Sequence, residues 1–260
     1  MSGLIEGYFG KSIEGKKSKI PAKLDFIQSA TGLFLGLFMW GHMFFVSSIL
    51  ISNDFMYKIA RMFEGNFIFG TPQPWVVSCI VFVVFAVFVT HAGLAMRKFP
   101  INFRQWQLLR THVKTINHGD TSLWFVQAIT GFIMFFFASF HLGIMFFFPE
   151  TIDPYGSGDR MLQMWPFYLI LLFAVELHGG IGLYRLCVKW GWFEGDNARA
   201  SRKTLKKIKW VISVFFLVLG LFTMAAYLKV SFSPHTPGER YTPSANLMLP
   251  SSELIEQKRG

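Results

Sequence analysis

Residues 75–98 read WVVSCIVFVVFAVFVTHAGLAMRK. From Val76 to Val89 this stretch is apolar apart from Ser78, and it ends on two basic residues. About 20 apolar residues are enough for an α-helix to cross the roughly 30 Å of hydrocarbon in a bilayer. The run is too long and too continuously apolar for a strand of a membrane barrel, whose strands are short and alternate in polarity. It therefore predicts a transmembrane helix.

Four further segments have the same character, at about 25–52, 122–148, 165–190 and 209–230. Of the 260 residues 52% are hydrophobic and only 15% are charged, and the mean hydropathy is +0.41. This composition is typical of a polytopic membrane protein. We expect an all-α integral membrane protein with five transmembrane helices, divided into an N-terminal arm (1–24), a transmembrane domain (25–230) and a polar C-terminal tail (231–260).

The basic residues lie mainly on one side of this predicted topology, in the N-terminal arm and in the second and fourth connections. Because cytoplasmic loops are enriched in lysine and arginine, we expect a cytoplasmic N-terminus and an exterior C-terminus in a bacterial inner membrane. The same topology accounts for the net charge of +10, so no nucleic-acid partner is expected. The first twenty residues contain lysines but no apolar run, so we expect no signal peptide.

The tail contains several prolines among polar residues and is expected to be an extended or poorly ordered exterior segment of no assigned function. Cys79 and Cys187 match neither a zinc spacing nor a covalent haem-attachment pattern. We interpret both as small buried apolar residues, and any haem is then bound non-covalently.

Four histidines, His42, His91, His141 and His178, each lie in a different predicted helix. Burying an imidazole in hydrocarbon costs free energy unless a partner satisfies it, so such residues mark functional sites. Paired neutral imidazoles on facing helices are typical of bis-histidine ligation of haem iron.

Depth along the helices divides these histidines into two pairs. At about 1.5 Å per residue, His42 and His141 lie roughly 28 and 30 Å from the cytoplasmic ends of their helices. His91 and His178 lie about 10 to 16 Å from theirs. Two stacked haems in a four-helix core, with a fifth helix beside it, fit these depths, and a single four-histidine metal site does not. The simpler interpretation, in which each ring only hydrogen-bonds a neighbouring helix, explains one histidine better than four at paired depths.

Residues around the histidines are compatible with a large flat ligand. Glycines that would let a macrocycle approach are Gly41, Gly93, Gly143, Gly179, Gly180 and Gly182. Small residues also serve helix packing, as Gly32 and Gly36 could do. Candidate partners for haem propionates are Arg97, Lys98, Arg185 and Lys189, although their position at the interface is explained equally well by topology. Solvated roles are expected for His112, His118 and His235.

Two carboxylates are candidates for proton chemistry. Glu176 lies inside the fourth apolar run, where an ionised side chain is disfavoured, so it either handles protons or makes a neutral helix contact. Glu64 lies in the first exterior connection, between Phe63 and Phe67. It could accept a proton from a hydroquinone, but an ordinary loop glutamate fits the pattern as well.

The helix order and the flanks of the histidines resemble the single-polypeptide dihaem cytochrome b subunit of succinate:quinone oxidoreductases, in particular that of menaquinol:fumarate reductases. The resemblance extends from about Pro21 to Lys229 and rests on the stretches Gly41–Phe45, His91–Pro100, His118–Thr121, Phe140–Leu142 and Glu176–Arg185. The tail after Ser231 and the third connection, Pro149–Gln163, depart from the family pattern.

The resemblance implies that His42 and His141 ligate a distal haem b and that His91 and His178 ligate a proximal one. It further implies that Glu64 belongs to a menaquinol site and that Glu176 belongs to a transmembrane proton path. The partners implied are an iron-sulfur subunit and a flavoprotein subunit on the cytoplasmic face, the latter carrying the fumarate or succinate site. The resemblance is also compatible with a dimer of such heterotrimers, surrounded by membrane lipid.

Two alternatives stay open at this point. One is the membrane cytochrome of a nitrate reductase, hydrogenase or formate dehydrogenase, which would bind the same haems. The other is a haem-free channel or transporter in which the histidines and Glu176 relay protons. No internal repeat of clean period is present, which disfavours a transporter built from inverted repeats.

Overall fold

The computed structural model describes residues 19–99, 102–116 and 119–243. Five helices in this part of the chain are long and apolar enough to cross a membrane, which confirms the predicted number. They are α1 (Ile20–Val46), α4 (Pro74–Met96), α6 (Gly119–Phe147), α7 (Pro154–Trp190) and α8 (Ala198–Ser231). Shorter helices in the connections are α2 (Asn53–Phe63), α3 (Asn66–Phe69) and α5 (Phe103–Ile116).

Large apolar side chains are exposed along the long helices. Phe82, Phe136 and Phe222 are exposed to 61%, 65% and 63%, on three different helices. A soluble domain rarely exposes such continuous apolar surface, whereas lipid tails cover it at no cost. The expectation of a buried Cys79 is wrong, because this residue is exposed on α4, whereas Cys187 is half-buried. The chain is therefore an all-α integral membrane protein, as predicted.

Helix α8 begins well before the apolar run that predicted it, whereas α7 is broken at Met164 (φ −129°, ψ 22°), one residue before the predicted start of the fourth span at 165. At the start of α7 the Asp153 carboxylate accepts the backbone N–H groups of Tyr155 (2.8 Å) and Gly156 (3.1 Å). At the start of α8 the Asn197 side chain accepts the N–H of Ala200 at 3.0 Å. Capping residues set where a helix begins, whereas hydropathy only marks the part that lipid surrounds. The third connection, predicted at Pro149–Gln163, therefore contains a helical segment that begins at Pro154 and ends at the Met164 break.

The first connection is helical rather than irregular. The Ser52 hydroxyl accepts the Phe55 N–H at 3.0 Å and caps α2. Gly65 follows α2 with a φ of +73°, a left-handed conformation that glycine adopts without strain, and it reverses the chain into α3. Glu64 therefore lies at the junction of two helices, with its backbone carbonyl accepting the Gln73 N–H at 2.8 Å.

The chain divides into two compact units. Unit 1 contains the described parts of Met1–Trp40, Phe82–Ser139 and Leu171–Phe215, and unit 2 those of Gly41–Val81, Phe140–Ile170 and Phe216–Gly260. His91 and His178 belong to unit 1, and His42 and His141 belong to unit 2. The expectations for His118, for residues 1–18 and for residues 244–260 lie outside the described residues, as does the side chain of His112.

Candidate functional site

Unit 1 brings the imidazoles of His91 and His178 together, as predicted for this pair. Their ring centroids are 6.5 Å apart and the ring planes are perpendicular. His91 Nδ1 lies 3.1 Å from the backbone carbonyl oxygen of Gln28, and His178 Nδ1 lies 2.8 Å from that of Gln127. A carbonyl oxygen only accepts, so each Nδ1 carries the proton and each Nε2 keeps its lone pair. This is the tautomer that a histidine needs to ligate a metal through Nε2.

Two glycines make room for these rings. A Cβ atom on Gly32 would lie 2.8 Å from His91 Cε1, and a Cβ on Gly131 would lie 2.8 Å from His178 Cε1. Real Cβ atoms essentially never approach so closely, so any larger residue would displace the imidazole. The interpretation of Gly32 as a helix-packing residue is incomplete, because the residue packed against it is the candidate ligand itself.

The two supports repeat one sequence pattern. Gln28-Ser-Ala-Thr-Gly32 on α1 and Gln127-Ala-Ile-Thr-Gly131 on α6 share the form Gln-x-x-Thr-Gly. In both, the glutamine carbonyl accepts from a histidine and the glycine clears space for it. The threonines also correspond, since Thr31 and Thr130 each donate to the carbonyl four residues earlier, at 2.8 and 2.7 Å. The motif was not recognised from the sequence, because its role depends on the histidines of other helices that face it.

A cavity of about 630 Å³ lies between these supports in unit 1. Both histidines line it, together with Gly32, Gly131 and Phe88. Its volume falls within the range of about 300 to 1,000 Å³ that is usual for small-molecule and cofactor sites. Among the described residues, no three histidine, cysteine, aspartate or glutamate side chains converge as they would at a metal site made by protein alone.

Three of the four candidate propionate partners converge on a residue that the sequence did not single out. Asp25 on α1 pairs with Lys98 and Lys189, and Arg97 Nη2 lies 3.4 Å from the same carboxylate. Arg97 is only 5% exposed, so this pairing offsets part of the cost of burying its charge. The same lysines and arginine could also pair with other carboxylates, such as propionates.

The fourth candidate, Arg185, is tied to the histidine support. Its Nη1 donates to the side-chain oxygen of Gln127 at 2.7 Å, while the backbone oxygen of Gln127 accepts from His178 at 2.8 Å. One residue thus links a cation beside the cavity to a candidate ligand. Arg185 and Lys189 both line the cavity, as Lys98 does.

Glu176 lies in a buried polar cluster of unit 1. It is 1% exposed, Ser213 is 1% exposed and Lys209 is 6% exposed. A Cβ on Gly180 would lie 2.6 Å from Ser213 Oγ and 3.3 Å from Glu176 Oε1, so the absence of a side chain there makes room for this cluster. The Lys209 ammonium lies over the Trp210 ring, 2.9 Å from its centroid. The missing side chain of Gly180 therefore leaves space for the Glu176 carboxylate. This explains the glycine without the expected approach of a macrocycle.

The other glycines that flank the histidines have varied surroundings. A Cβ on Gly93 or Gly143 would contact no other described residue within 4 Å, and one on Gly41 would only touch Phe45. On Gly179 and Gly182 it would lie 3.0 Å from side-chain atoms of Met39 and Gln127 respectively. The glycines that fit tightly against the rings are on the partner helices, not beside the histidines in sequence.

Unit 2 brings His42 and His141 together, again as predicted. Their ring centroids are 6.2 Å apart, with 59° between the planes. The His141 ring meets Tyr168 edge-on at 5.8 Å. His141 Nδ1 is buried and has no hydrogen-bond partner among the described residues. The ring separation in this pair is similar to that in the unit 1 pair. Among the described residues, however, no backbone carbonyl accepts a hydrogen bond from His141 Nδ1 and so fixes its tautomer.

Glu64 is completely buried in unit 2 and is not an ordinary loop glutamate. One carboxylate oxygen pairs with Arg61, one helical turn earlier. The other accepts a hydrogen bond from Arg240 Nη2 at 3.0 Å. Arg240 belongs to the tail, for which the sequence suggested no function.

Tail residues up to Pro243 are ordered against unit 2. His235, expected to be solvated, has a side chain only 5% exposed and stacks on Tyr155, with centroids 4.3 Å apart and planes at 5°. The Tyr241 hydroxyl donates to Asp54 at 2.7 Å. Residues 232–243 form no helix or strand, in keeping with an extended segment, but their aromatic and charged side chains have partners that only the fold brings near.

The helices and the two imidazole pairs define a polytopic membrane protein with paired intramembrane histidines. A family model of the succinate dehydrogenase/fumarate reductase transmembrane subunit matches residues 103–219. The chain is 55% identical over 240 residues to the fumarate reductase cytochrome b subunit of Wolinella succinogenes, covering 92% of this chain and 94% of the relative. It is 57% identical over 228 residues to the subunit of the same name from Helicobacter pylori, covering 87% and 88%.

The chain therefore belongs to the family of succinate dehydrogenase/fumarate reductase transmembrane subunits. It is a multi-pass membrane protein, which in a bacterium is located in the inner membrane. The resemblance identified from the sequence is confirmed.

Proposed function

We propose that this chain is the membrane anchor of a fumarate reductase complex and binds two haem b groups, one between each pair of histidines. The observation that carries the proposal is the pairing itself, with centroid separations of 6.5 and 6.2 Å. Metal-imidazole nitrogen bonds are about 2 Å long, so a metal between two imidazoles separates their centroids by about 6 Å. Haem supplies one-electron redox chemistry when it is bound.

The residues of unit 1 fit such a group. The Gln28 and Gln127 carbonyls hold the two Nδ1 protons, which leaves both Nε2 atoms for iron. Lys98, Arg185 and Lys189 would pair with propionates at the edge of the cavity. In unit 2 the His42 and His141 imidazoles would hold the second haem, and the unpartnered His141 Nδ1 would need a hydrogen-bond acceptor supplied on assembly.

Glu64 is proposed as the base that accepts a proton from menaquinol. Oxidation of a hydroquinone releases two electrons and two protons, and a buried carboxylate beside the reacting hydroxyl can accept one proton. Arg61 and Arg240 pair with the two carboxylate oxygens of Glu64, although water is excluded from it. An anionic carboxylate is the form required to accept a proton.

Glu176 is proposed to carry protons through the membrane interior. Ser213 and Lys209 surround it, so groups that exchange protons are present in an otherwise apolar helix pair. Glu176 thus has two buried polar neighbours, one of which carries an amine, and polar residues inside a membrane protein mark functional sites. We propose no direction of transfer.

An iron-sulfur subunit and a flavoprotein subunit are the proposed partners. The N-terminal arm and the second and fourth connections hold most of the basic residues, so this face is proposed as the cytoplasmic docking side. The C-terminus is then outside. We further propose menaquinol as the reductant, and dimerisation of the heterotrimer is compatible with the broad apolar surface of the helices.

Reduced-minus-oxidised spectroscopy of the purified complex, with iron quantified, tests the haem proposal. Two b-type haems per chain are expected. Absence of a b-type signal would instead support the haem-free proton relay. A dihaem spectrum with a co-purifying nitrate reductase, hydrogenase or formate dehydrogenase subunit would assign the chain to another respiratory complex.

Substitution Glu64→Gln tests the quinol site. The variant keeps the size of the side chain but cannot become an anionic base, so menaquinol-driven fumarate reduction should fall by about 10²-fold or more. Haem content should be unchanged. Turnover equal to that of the parent complex would remove Glu64 from the reaction.

A further inference from the structure

Residues 232–243 of the tail form a segment that we call the strap. It lies against one end of unit 2. Three of its side chains make polar contacts with buried or half-buried groups of the unit, and they are His235, Arg240 and Tyr241. The strap thus returns to the α2–α3 junction, where Glu64 is buried. No sequence pattern linked these two regions.

His235 anchors the beginning of the strap. Its Nδ1 lies 2.7 Å from the Ser233 carbonyl oxygen and its Nε2 lies 2.9 Å from Asp159 Oδ1. Both partners are acceptors, so both ring nitrogens donate when both bonds are made and the imidazole is then cationic. These two hydrogen bonds raise the pKa of His235, the Ser233 carbonyl having the larger effect.

Tyr241 anchors the end of the strap. Its hydroxyl donates to Asp54 at 2.7 Å, and its ring packs against Tyr155 at 5.1 Å and Tyr57 at 5.9 Å. Tyr155 also stacks on His235, so one aromatic ring of α7 contacts both ends. Burial and the Asp54 carboxylate both raise the pKa of Tyr241, which keeps the hydroxyl a hydrogen-bond donor.

Arg240 lies beside Tyr241 and completes the surroundings of Glu64. Its Nη2 donates to Glu64 Oε1 at 3.0 Å, and its Nε lies 3.9 Å from Asp153. Arg61 holds the other carboxylate oxygen and itself lies over the Tyr57 ring. Within residues 19–99, 102–116 and 119–243, the charged groups in contact around Glu64 are Arg61 from α2, Arg240 from the strap, and Asp153 beyond Arg240.

We propose that Arg240 is a positioning residue of the quinol-oxidation site: while the strap is anchored, its guanidinium pairs with Glu64 Oε1 and orients the carboxylate. A fully buried carboxylate is costly unless its charge is compensated on both oxygens. Arg61 is on the neighbouring helical turn and pairs with only one oxygen. The second guanidinium comes from the strap, so the strap is part of the site.

This inference rests on the proposed role of Glu64 and predicts a specific change in pH dependence. Loss of an adjacent positive charge favours the protonated carboxyl, so the acidic limb of quinol oxidation in Arg240→Gln should move to higher pH by about one unit. Turnover at pH values below the shifted limb should fall roughly tenfold. Arg240→Lys keeps the charge and should restore most of the parent profile.

The test is the pH profile of menaquinol-driven fumarate reduction in the intact complex, measured for Arg240→Gln, Arg240→Lys and Glu64→Gln. Lys229→Gln is the matched control, because it removes one exposed positive charge that precedes the strap, and it should leave the profile unchanged. An unshifted profile in Arg240→Gln, with Glu64→Gln inactive, would overturn this inference and leave the role of Glu64 intact.

An active Glu64→Gln variant would overturn both proposals. If the Arg240→Gln complex cannot be isolated, Arg240→Lys and Tyr241→Phe decide the matter. Tyr241→Phe keeps Arg240 but removes the bond to Asp54, so a smaller shift in the same direction is expected. A parent-like profile in Tyr241→Phe would overturn the inference, because Glu64 would then not depend on the anchoring of the strap. A full alkaline shift in Arg240→Lys would assign the effect to the guanidinium geometry and support a positioning role.

Discussion

The two histidine pairs have similar separations but differ in how the chain supports them. In unit 1 the Nδ1 atoms of His91 and His178 bond to backbone carbonyls, and a glycine faces each ring. In unit 2 the His141 Nδ1 has no hydrogen-bond partner within the described residues. In unit 1, the folded chain therefore fixes the tautomers of both imidazoles before any ligand binds.

The difference teaches that one fold can prepare two chemically similar sites to different degrees. Backbone carbonyls cannot move without unwinding a helix, so the unit 1 imidazoles have little freedom left to lose when a ligand binds. The His141 imidazole, whose Nδ1 has no hydrogen-bond partner among the described residues, has more orientational freedom to lose. On the proposed function, unit 1 should bind haem more tightly than unit 2.

The largest expected effect comes from removing the ligands themselves. His91→Ala or His178→Ala should abolish the haem of unit 1 and leave that of unit 2, and His42→Ala or His141→Ala should do the reverse. On the proposed function, each iron would then lose one of its two protein ligands. Redox spectra and iron content of the purified complexes measure this. Equal loss of both haems in all four variants would indicate a folding defect and remove the distinction between the units.

A smaller effect is expected from filling the space opposite the unit 1 rings. Gly32→Ala and Gly131→Ala would place a Cβ 2.8 Å from an imidazole carbon, so unit 1 haem affinity should fall about 10- to 100-fold. The matched control is Gly158→Ala in unit 2, whose Cβ would lie 3.1 Å from backbone atoms of Tyr227 and Ser231 and away from the unit 1 cavity. It should lower stability by about 1–3 kcal/mol while retaining the haem. Equal haem loss in the control would mean that general packing, not the histidine, is responsible.

Asp25 allows a test of what the unit 1 cations bind. Asp25→Asn removes the carboxylate that pairs with Arg97, Lys98 and Lys189. Thermal unfolding should show a loss of about 1 kcal/mol in haem-free protein and a smaller loss when propionates replace that charge. Asp196→Asn, at an exposed position, serves as the control. The same loss with and without haem would show that the propionates do not bind these cations.

The smallest effect concerns the attachment of the strap to unit 2. The pKa of His235 is raised, so the contribution of its cation to attachment is full below its ordinary pKa and is lost as pH rises through the raised value. Asp159, Glu239 and Tyr155 are the neighbouring titratable groups. Hydrogen exchange of residues 232–243, corrected for intrinsic rates, should show modestly weaker protection at alkaline pH. His235→Gln should remove this pH dependence, and its persistence there would assign the effect to another group.

Much of the fold could be predicted from sequence because hydrocarbon imposes a simple rule on the chain. Every spanning helix must be long and apolar, so the five helices and the four intramembrane histidines stand out in the sequence. The ends of the helices did not follow from that rule. Asp153 and Asn197 begin α7 and α8 through local hydrogen bonds, which hydropathy does not register.

The pairing of the histidines could be predicted because helix rise converts sequence distance into depth, and both pairs are in contact distance in the structure. The Gln-x-x-Thr-Gly motifs were present in the sequence but had no meaning without the facing histidines. Their backbone carbonyls and missing Cβ atoms are not visible in a side-chain pattern. Only packing showed that Gly32 and Gly131 face the rings.

The sequence by itself determined the membrane-spanning class of this protein and the family to which it belongs, because apolar length and histidine placement depend on local composition and helical rise. The tertiary structure alone decided that Asp25 gathers three cations, that Gly180 makes room for Glu176 and Ser213, and that Arg240 reaches Glu64. These contacts join residues far apart in the chain. Their free energies depend on burial and distance in three dimensions, which no linear pattern encodes.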